Sequence, residues 1–317
     1  MRVAVVAVDG VFDSGLSVVL DMLTTANSMR ENLWAAPSAF EVTIVGLTAQ
    51  ARTGQGLQVE TVPLAAVTAP PELVVIPALS AKSKEQIAAA VTEHPLLGWL
   101  RDTHAAGVGV AAACTSTFLL AESGILDGGT ATTSWWLGPA FRQRYPAVRL
   151  DDASTLVVDG TITTAGAAFA HIDLAVSIVR RHSPALSDLA SRFLMAGERQ
   201  SQFTYAMPSV LADSDPLIAA FERWVRNHLN EPVRVSGVAH RLGVSERTLQ
   251  RATMRVLGMS PLKFVQQVRL DQATLLLQTS KRSATSIAAA VGYQNVGSLR
   301  RLARRGAHSS LSAIRSR

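Results

Sequence analysis

Three short runs in the first half of this chain carry no polar side chain: "VAVVAV" (Val3–Val8), "LVVI" (Leu73–Ile76) and "VGVAAA" (Val108–Ala113). A half-exposed strand alternates apolar and polar residues, so unbroken apolar runs of this length read as strands buried on both faces. Such strands belong to a parallel sheet covered by helices on each side. Further strands are expected at Glu41–Leu47, Leu156–Val158 and Ile162–Thr164. Helical runs fall at Leu16–Asn27, Lys84–Val91, Pro95–Ala106, Ser116–Glu122, Pro139–Tyr145 and His171–Arg181. Strand and helix in alternation predict an α/β sandwich with a parallel sheet. In such sheets ligands bind at the carboxyl ends of strands.

The pattern does not run to the end of the 317 residues, a length that itself favours two domains. "RRHSP" closes one helix at Pro184, a further helix is expected over Ala185–Met195, and the polar "AGERQSQFTYAMPS" follows. After Pro216 no convincing strand remains, and stop and start signals for helices abound. The expected organisation is a domain over 1–183, a linker with a helix over 184–215, and an all-α domain over 216–317. Charge divides the same way. Residues 1–200 hold 13 Lys and Arg against 18 Asp and Glu, whereas residues 201–317 hold 17 against 6. A basic surplus confined to one module points to a polyanion as its partner.

Within the basic module a single pattern occurs twice. In "VSGVAHRLGVSERTLQRATMRV" (Val235–Val256), Val238, Ala239 and Leu242 form a short apolar face and Gly243 supplies a turn. Ser245 caps the next helix, in which Leu249 faces inward and Arg247, Thr248 and Arg251 do not. In "TSIAAAVGYQNVGSLRRLARRG" (Thr285–Gly306), Ile287, Ala288 and Val291 form the inner face, Gly292 the turn and Asn295 the cap. Leu299 and Leu302 face inward there, leaving Ser298, Arg300, Arg301, Arg304 and Arg305 for phosphates and base edges. Each is a helix-turn-helix pattern whose second helix enters a major groove. A long helix, Pro261–Thr279, joins them, with Val265, Val268, Leu275 and Leu276 at helical spacing.

The segment from about 217 to 315 resembles an AraC-type DNA-binding domain, through Ala239, Leu242, Gly243, Ser245, Arg247, Leu249 and Arg251, then "LGMSP", "RLDQATLLL" and "IAAAVGY". The resemblance implies two recognition helices about 34 Å apart, reaching successive major grooves of double-stranded promoter DNA. The expected DNA contacts are Ser245, Arg247, Thr248, Arg251, Ser298, Arg300, Arg301 and Arg304. The chain departs from the family pattern at Thr253, where a Phe is usual, and at Leu299, Ala303 and Ile314, where aromatics are usual. Each lost aromatic implies a second unit less well packed by about 3 kcal/mol unless neighbours compensate.

The front half holds the only cysteine, Cys114, between a strand and a helix in "AAACTSTF". With "RVAVVAVDG", "VVIPAL", "LLAESGILDGGTATTSW" and "GTITTAGAAFAHIDLAVSIV", residues 1 to about 182 resemble the ThiJ/PfpI, or class I glutamine amidotransferase-like, superfamily, a flavodoxin-like fold. The whole chain is similar to the GlxA-like AraC-family transcriptional regulators. Enzymes of that superfamily support the cysteine with an acid, an oxyanion hole of backbone N–H groups and often a histidine. Here the strand end reads Pro77-Ala78-Leu79, Ser134 stands where the histidine is common, and the acid position falls on Gly15, with Asp13 nearby. A thiol without those partners keeps a pKa near ~8.5. Three readings of Cys114 stay open: a pocket-lining residue of a ligand sensor, an inert small residue at a tight turn, and a working nucleophile. The sensor reading places Asp13, Ala78, Leu79, Cys114, Thr115, Ser134, Trp135 and His171 around a ligand. His171 reads also as a structural hydrogen-bonder, Asp173 as a helix cap, and Trp135 and Trp136 as core.

The function expected from these residues is a DNA-binding transcriptional regulator, not an enzyme, that senses a small metabolite with its first domain. The resemblance implies a homodimer through that domain and an effector such as a small nitrogenous metabolite. A single cysteine forms no intramolecular disulfide, and the apolar opening stops at Asp9, short of a signal peptide. No uncharged stretch nears the ~20 residues of a membrane span, so a cytoplasmic protein without a membrane partner is expected. No metal-site spacing, P-loop or dinucleotide fingerprint occurs, and no cofactor is expected. Two alternatives remain: a cysteine-dependent hydrolase or hydratase with an appended DNA-binding tail, and an architectural DNA-binding protein without a ligand.

Overall fold

Strand β1 (Arg2–Val6) shows why the apolar runs are unbroken: Val3 and Val5 enter one core and Ala4 and Val6 another, on opposite faces of one sheet. The computed structural model describes residues 1–81, 83–196, 215–306 and 310–315. It divides the chain into two units, Met1–Tyr205 and Ala206–Arg317.

The first unit carries β2 (Glu41–Gly46), β3 (Gln50–Arg52), β4 (Gln58–Glu60), β5 (Val62–Pro63), β6 (Leu73–Ile76), β7 (Gly109–Ala113), β8 (Thr130–Ala131), β9 (Arg149–Leu150), β10 (Leu156–Asp159) and β11 (Ile162–Ala165). The main sheet has the order β10-β11-β7-β6-β1-β2-β5. Its inner neighbours run parallel, with Val3 opposite Val42 and Leu73, and Val75 opposite Ala111. The sheet is mixed rather than wholly parallel as expected, because β10 pairs antiparallel with β11. The cause is local: Gly160, at a φ of 58°, closes a two-residue turn between them. Two short pairs, β3 with β4 and β8 with β9, had no signal in the apolar pattern.

On one face lie α1 (Asp13–Met29), α6 (Ala170–His182) and α7 (Pro184–Phe193). The helix placed in the linker from sequence thus packs on this unit, where Leu186 and Ala190 complete the core around Leu16, Leu23 and Leu174. On the other face lie α2 (Lys84–Val91), α3 (Leu96–Ala105), α4 (Thr117–Glu122) and α5 (Gly138–Arg144). Phe118, Phe141 and Tyr145 cluster there with ring centroids 5.0–5.7 Å apart. Trp135 is buried, and Trp136 is half-buried against the core on this face.

The described part of the second unit is helical: α8 (Pro216–Asn227), α9 (Val235–Arg241), α10 (Glu246–Leu257), α11 (Pro261–Thr279), α12 (Ala284–Ala290), α13 (Val296–Gly306) and α14 (Leu311–Arg315). The buried rings of Phe221 and Phe264 pack with centroids 5.3 Å apart and planes tilted by 37°. The buried Thr253 turns its hydroxyl back to the carbonyls of Leu249 and Gln250, so a polar group stands satisfied where an aromatic is usual. Leu299, Ala303 and Ile314 are buried in the second core with Leu270, Leu277 and Leu311. One expectation fails on α11: Leu275 is 51% exposed, and Leu277 takes the inward place.

Candidate functional site

The first candidate site is the elbow where β7 ends. Cys114 sits at a φ of 56°, a left-handed conformation uncommon for any residue with a Cβ. The turn is held by its neighbours: Thr133 Oγ1 donates to the Cys114 carbonyl at 2.7 Å, and Ser116 Oγ donates to the Pro77 carbonyl at 2.6 Å. Cys114 is buried, and burial pushes its thiol up to about 11, a rise that the Ser134 hydroxyl and the Thr115 backbone only partly offset. The value near 8.5 expected for an unassisted thiol is therefore too low, because the sequence does not reveal how completely the turn is covered.

The strand end facing the elbow is already occupied. The Ala78 amide donates to His171 Nε2 at 3.0 Å, and the Leu79 amide donates to Thr115 Oγ1 at 2.7 Å. Thr115 returns the contact by donating to the Leu79 carbonyl at 2.8 Å. Because Nε2 accepts, the proton of His171 lies on Nδ1, which donates to the Ala168 carbonyl at 2.5 Å. Burial lowers the His171 pKa to about 4, so the ring is neutral near pH 7. A Cβ on Gly15 would stand 2.6 Å from Nε2, so the imidazole fills the space that a side chain there would need.

Of the eight residues expected around a ligand, Ala78, Leu79, Thr115 and His171 are thus joined by hydrogen bonds, with Cys114 and Ser134 beside them. Asp13 is drawn elsewhere: its carboxylate accepts from Thr53 Oγ1 at 2.5 Å and from the Gln55 amide at 3.1 Å. The Ser134 hydroxyl is buried without a hydrogen bond of regular geometry. The two bonds that close the elbow, to Ala78 and to Leu79, were not foreseen from sequence. Among the described residues no group of His, Cys, Asp and Glu is placed to hold a metal ion.

The second candidate site is the outer face of the second unit. Gly243, at a φ of 70°, makes the tight turn between α9 and α10. Ser245 Oγ accepts from the Thr248 amide at 3.1 Å and lies 2.8 Å from the Thr248 hydroxyl. Ser245 and Thr248, both exposed, are therefore also the cap of α10. Arg247 and Arg251, one turn apart on that helix, are exposed and form no hydrogen bond or ion pair among the described residues. Arg255, a turn further on, pairs instead with Asp215 at 2.7 Å.

The second helix-turn-helix repeats the device. Asn295 Oδ1 accepts from the Ser298 amide at 2.9 Å and caps α13. The half-buried Ser298 also donates its hydroxyl to Asn295 and accepts from Arg301, so it supports the helix end. Arg300 and Arg304 are exposed and flank a cavity of about 340 Å³ together with Leu277, Leu311 and Arg315. Four arginines on two capped helices, Arg247, Arg251, Arg300 and Arg304, offer guanidinium groups with no internal partner among the described residues. Planar guanidinium groups suit phosphate oxygens and guanine edges.

Comparison with known proteins gives both units relatives. Residues 1–181 match the model of the DJ-1/PfpI family, and residues 238–317 match that of a helix-turn-helix domain. The chain is 28% identical over 204 residues to the HTH-type transcriptional regulator CdhR of Pseudomonas aeruginosa, a match covering 63% of this chain and 60% of that protein. It is 28% identical over 210 residues to the HTH-type transcriptional regulator GlxA of Rhizobium meliloti, covering 62% and 61%. The chain thus spans about three fifths of the length of these relatives. Among solved structures, an AraC family transcriptional regulator from Pseudomonas putida superposes with a TM-score of 0.52 at 21% identity, over 61% of this chain and 98% of that one. Drosophila melanogaster DJ-1beta superposes with a TM-score of 0.51 at 19% identity, over 62% and 98%. These two structures share the fold.

Proposed function

This chain belongs to the DJ-1/PfpI family through its first 181 residues, and we propose that it is a DNA-binding transcriptional regulator that uses that domain as a sensor. The observation that carries the reading is the set of four exposed arginines, on two capped helices, that have no partner among the described residues. That two relatives are named HTH-type transcriptional regulators supports it. Arg247 and Arg251 serve the first recognition helix, and Arg300 and Arg304 the second. Ser245, Thr248, Ser298 and Arg301 hold the helix ends at the phosphate backbone.

The first domain in this reading is not an enzyme. An oxyanion hole needs N–H groups free to meet developing charge. The Ala78 and Leu79 amides already donate within the protein, and the Cys114 thiol is protonated at neutral pH. The effector contacts fall to Cys114, Ser134, Trp135 and the Leu79 side chain. Ala78, Thr115 and His171 build the wall behind them, and Asp13 stands at the rim. The Ser134 hydroxyl, buried beside the Cys114 thiol, is the polar side chain that meets a ligand in this reading. A small metabolite bound there acts by preferring one arrangement of the DNA-binding tails in a homodimer, which requires different affinities in the two arrangements. No described helix is long and apolar enough to cross a membrane, in keeping with a cytoplasmic regulator.

Selection of duplexes from a random-sequence pool by the full chain tests the reading. The expected product is a motif of two half-sites about one helical turn apart, bound with strong salt dependence. Binding that is equally strong to all sequences overturns it and favours an architectural protein. Rapid alkylation of Cys114 at pH 6–7 favours an enzyme instead.

A further inference from the structure

Arg269, on α11, is only 8% exposed, yet its guanidinium is incompletely satisfied: Nε is buried with no hydrogen-bond partner. A buried, partly satisfied cation is costly compared with an apolar side chain of the same size. Its surroundings show what the charge does there. Nη2 donates to the Glu231 carbonyl at 2.6 Å, in the segment between α8 and α9. The guanidinium carbon lies 5.3 Å from the centroid of the Tyr293 ring, in the turn of the second helix-turn-helix. Gly292 of that turn, at a φ of 80°, sits so close that a Cβ would stand 2.6 Å from Nη2 and collide with the Leu229 carbonyl. Three pieces of chain meet at this point: the entry to the first helix-turn-helix, the joining helix, and the turn of the second. The Leu229 carbonyl of the entry segment comes so close to Gly292 that a Cβ there would stand 2.3 Å from it, an approach that the missing side chain allows.

We propose that Arg269 is a positioning residue that locks the two helix-turn-helix units at one spacing and one mutual rotation, so that a single half-site spacing is recognised. The proposal rests on the DNA-binding reading for its consequence, but its structural part stands apart from it. The planar fork reaches the Glu231 carbonyl through Nη2 while its carbon lies over the Tyr293 ring. An ammonium offers neither the plane nor the second direction. Leu229, Glu231, Gly292 and Tyr293 are the groups it fixes, and none of them belongs to the arginine faces assigned to DNA.

Two measurements on the full chain test it, with Arg269→Met, Arg269→Lys and Gly292→Ala. The first is hydrogen exchange without DNA. Exchange is expected to rise at least tenfold at residues 229–234 and 291–295 in Arg269→Met and Gly292→Ala, while the centre of α10 stays as protected as in the parent. Unchanged protection in both segments overturns the clamp. If Arg269→Met fails to fold, Arg269→Lys, which keeps the charge, decides by the same comparison. The second is selection from a random-sequence DNA pool. The parent is expected to enrich two half-sites at one spacing, and the variants to enrich the same half-sites at several spacings or only one of them. A variant that enriches the parent's single spacing with equal affinity overturns the proposal. If the parent enriches no motif, the DNA-binding reading fails, and the exchange experiment still decides whether Arg269 clamps the units.

Discussion

Cys114 and His171 show how one residue's surroundings decide its chemistry. The elbow geometry that presents a nucleophile in a hydrolase survives here, with Cys114 held at a positive φ. Burial moves its pKa from 9.0 to about 11, so the thiolate fraction at pH 8 falls about a hundredfold. Iodoacetamide is therefore expected to label native Cys114 at least about a hundred times more slowly than the urea-unfolded chain; equal rates would show an open, activated thiol. His171 links the same site to pH. Its folded pKa, near 4, lies below the ordinary 6.5, so the unfolded chain takes up the proton first as pH falls. The stability contributed by the neutral ring is complete above about pH 6.5 and is lost progressively toward pH 4, by up to about 3 kcal/mol. Denaturant titrations from pH 7 to pH 4 should show this loss, and it should be absent in His171→Gln, whose amide does not titrate. An unchanged pH profile in that variant would place the acid sensitivity elsewhere.

At the level of elements, what was legible in the sequence was local. The apolar runs of β1, β6 and β7, the caps at Ser245 and Asn295 and the turn glycines Gly243 and Gly292 all act within a few residues of themselves. What stayed hidden acts across the chain. The bond from Ala78 to His171 spans 93 positions, and that from Arg269 to Glu231 spans 38. Leu277 rather than Leu275 is buried because a 19-residue helix meets different partners along its length, which spacing alone does not record. The antiparallel edge strand β10 escaped for a related reason. Half-buried at the sheet margin, it has an apolar pattern that fits either direction, and only the turn at Gly160 decides. The caps yield a direct prediction. Ser245→Ala removes the acceptor for the Thr248 amide and should cost about 1 kcal/mol of unfolding free energy. Ser245→Asp should restore most of it, because a carboxylate accepts the same bond and suits a helix N-terminus. Chemical denaturation followed by circular dichroism measures both, and a loss in the Asp variant equal to that in the Ala variant would remove the capping role.

Across the whole molecule, charge divides the sequence into an acidic and a basic part. The first 200 residues carry more acid than base, and the remaining 117 hold 17 basic side chains against 6 acidic ones. A duplex meeting this chain is attracted by one module and repelled by the other, which disfavours binding through the first unit. Affinity should therefore be carried by the second unit and should fall steeply with salt. With about six phosphates neutralised, the association constant drops by about three orders of magnitude between 50 and 200 mM salt. Arg247 and Arg251 lie one turn apart on α10, so a single duplex is within reach of both. If Arg247 holds a phosphate, Arg247→Ala lowers the salt slope by about one and weakens all sequences alike. If it reads a base, the slope stays and discrimination at one position falls by about 1–3 kcal/mol. Binding isotherms at four salt concentrations, on a selected duplex and on its single-position variants, separate the two cases. A parent affinity that barely responds to salt would refute the electrostatic division itself, because basic side chains that neutralise phosphates must release counterions when they bind.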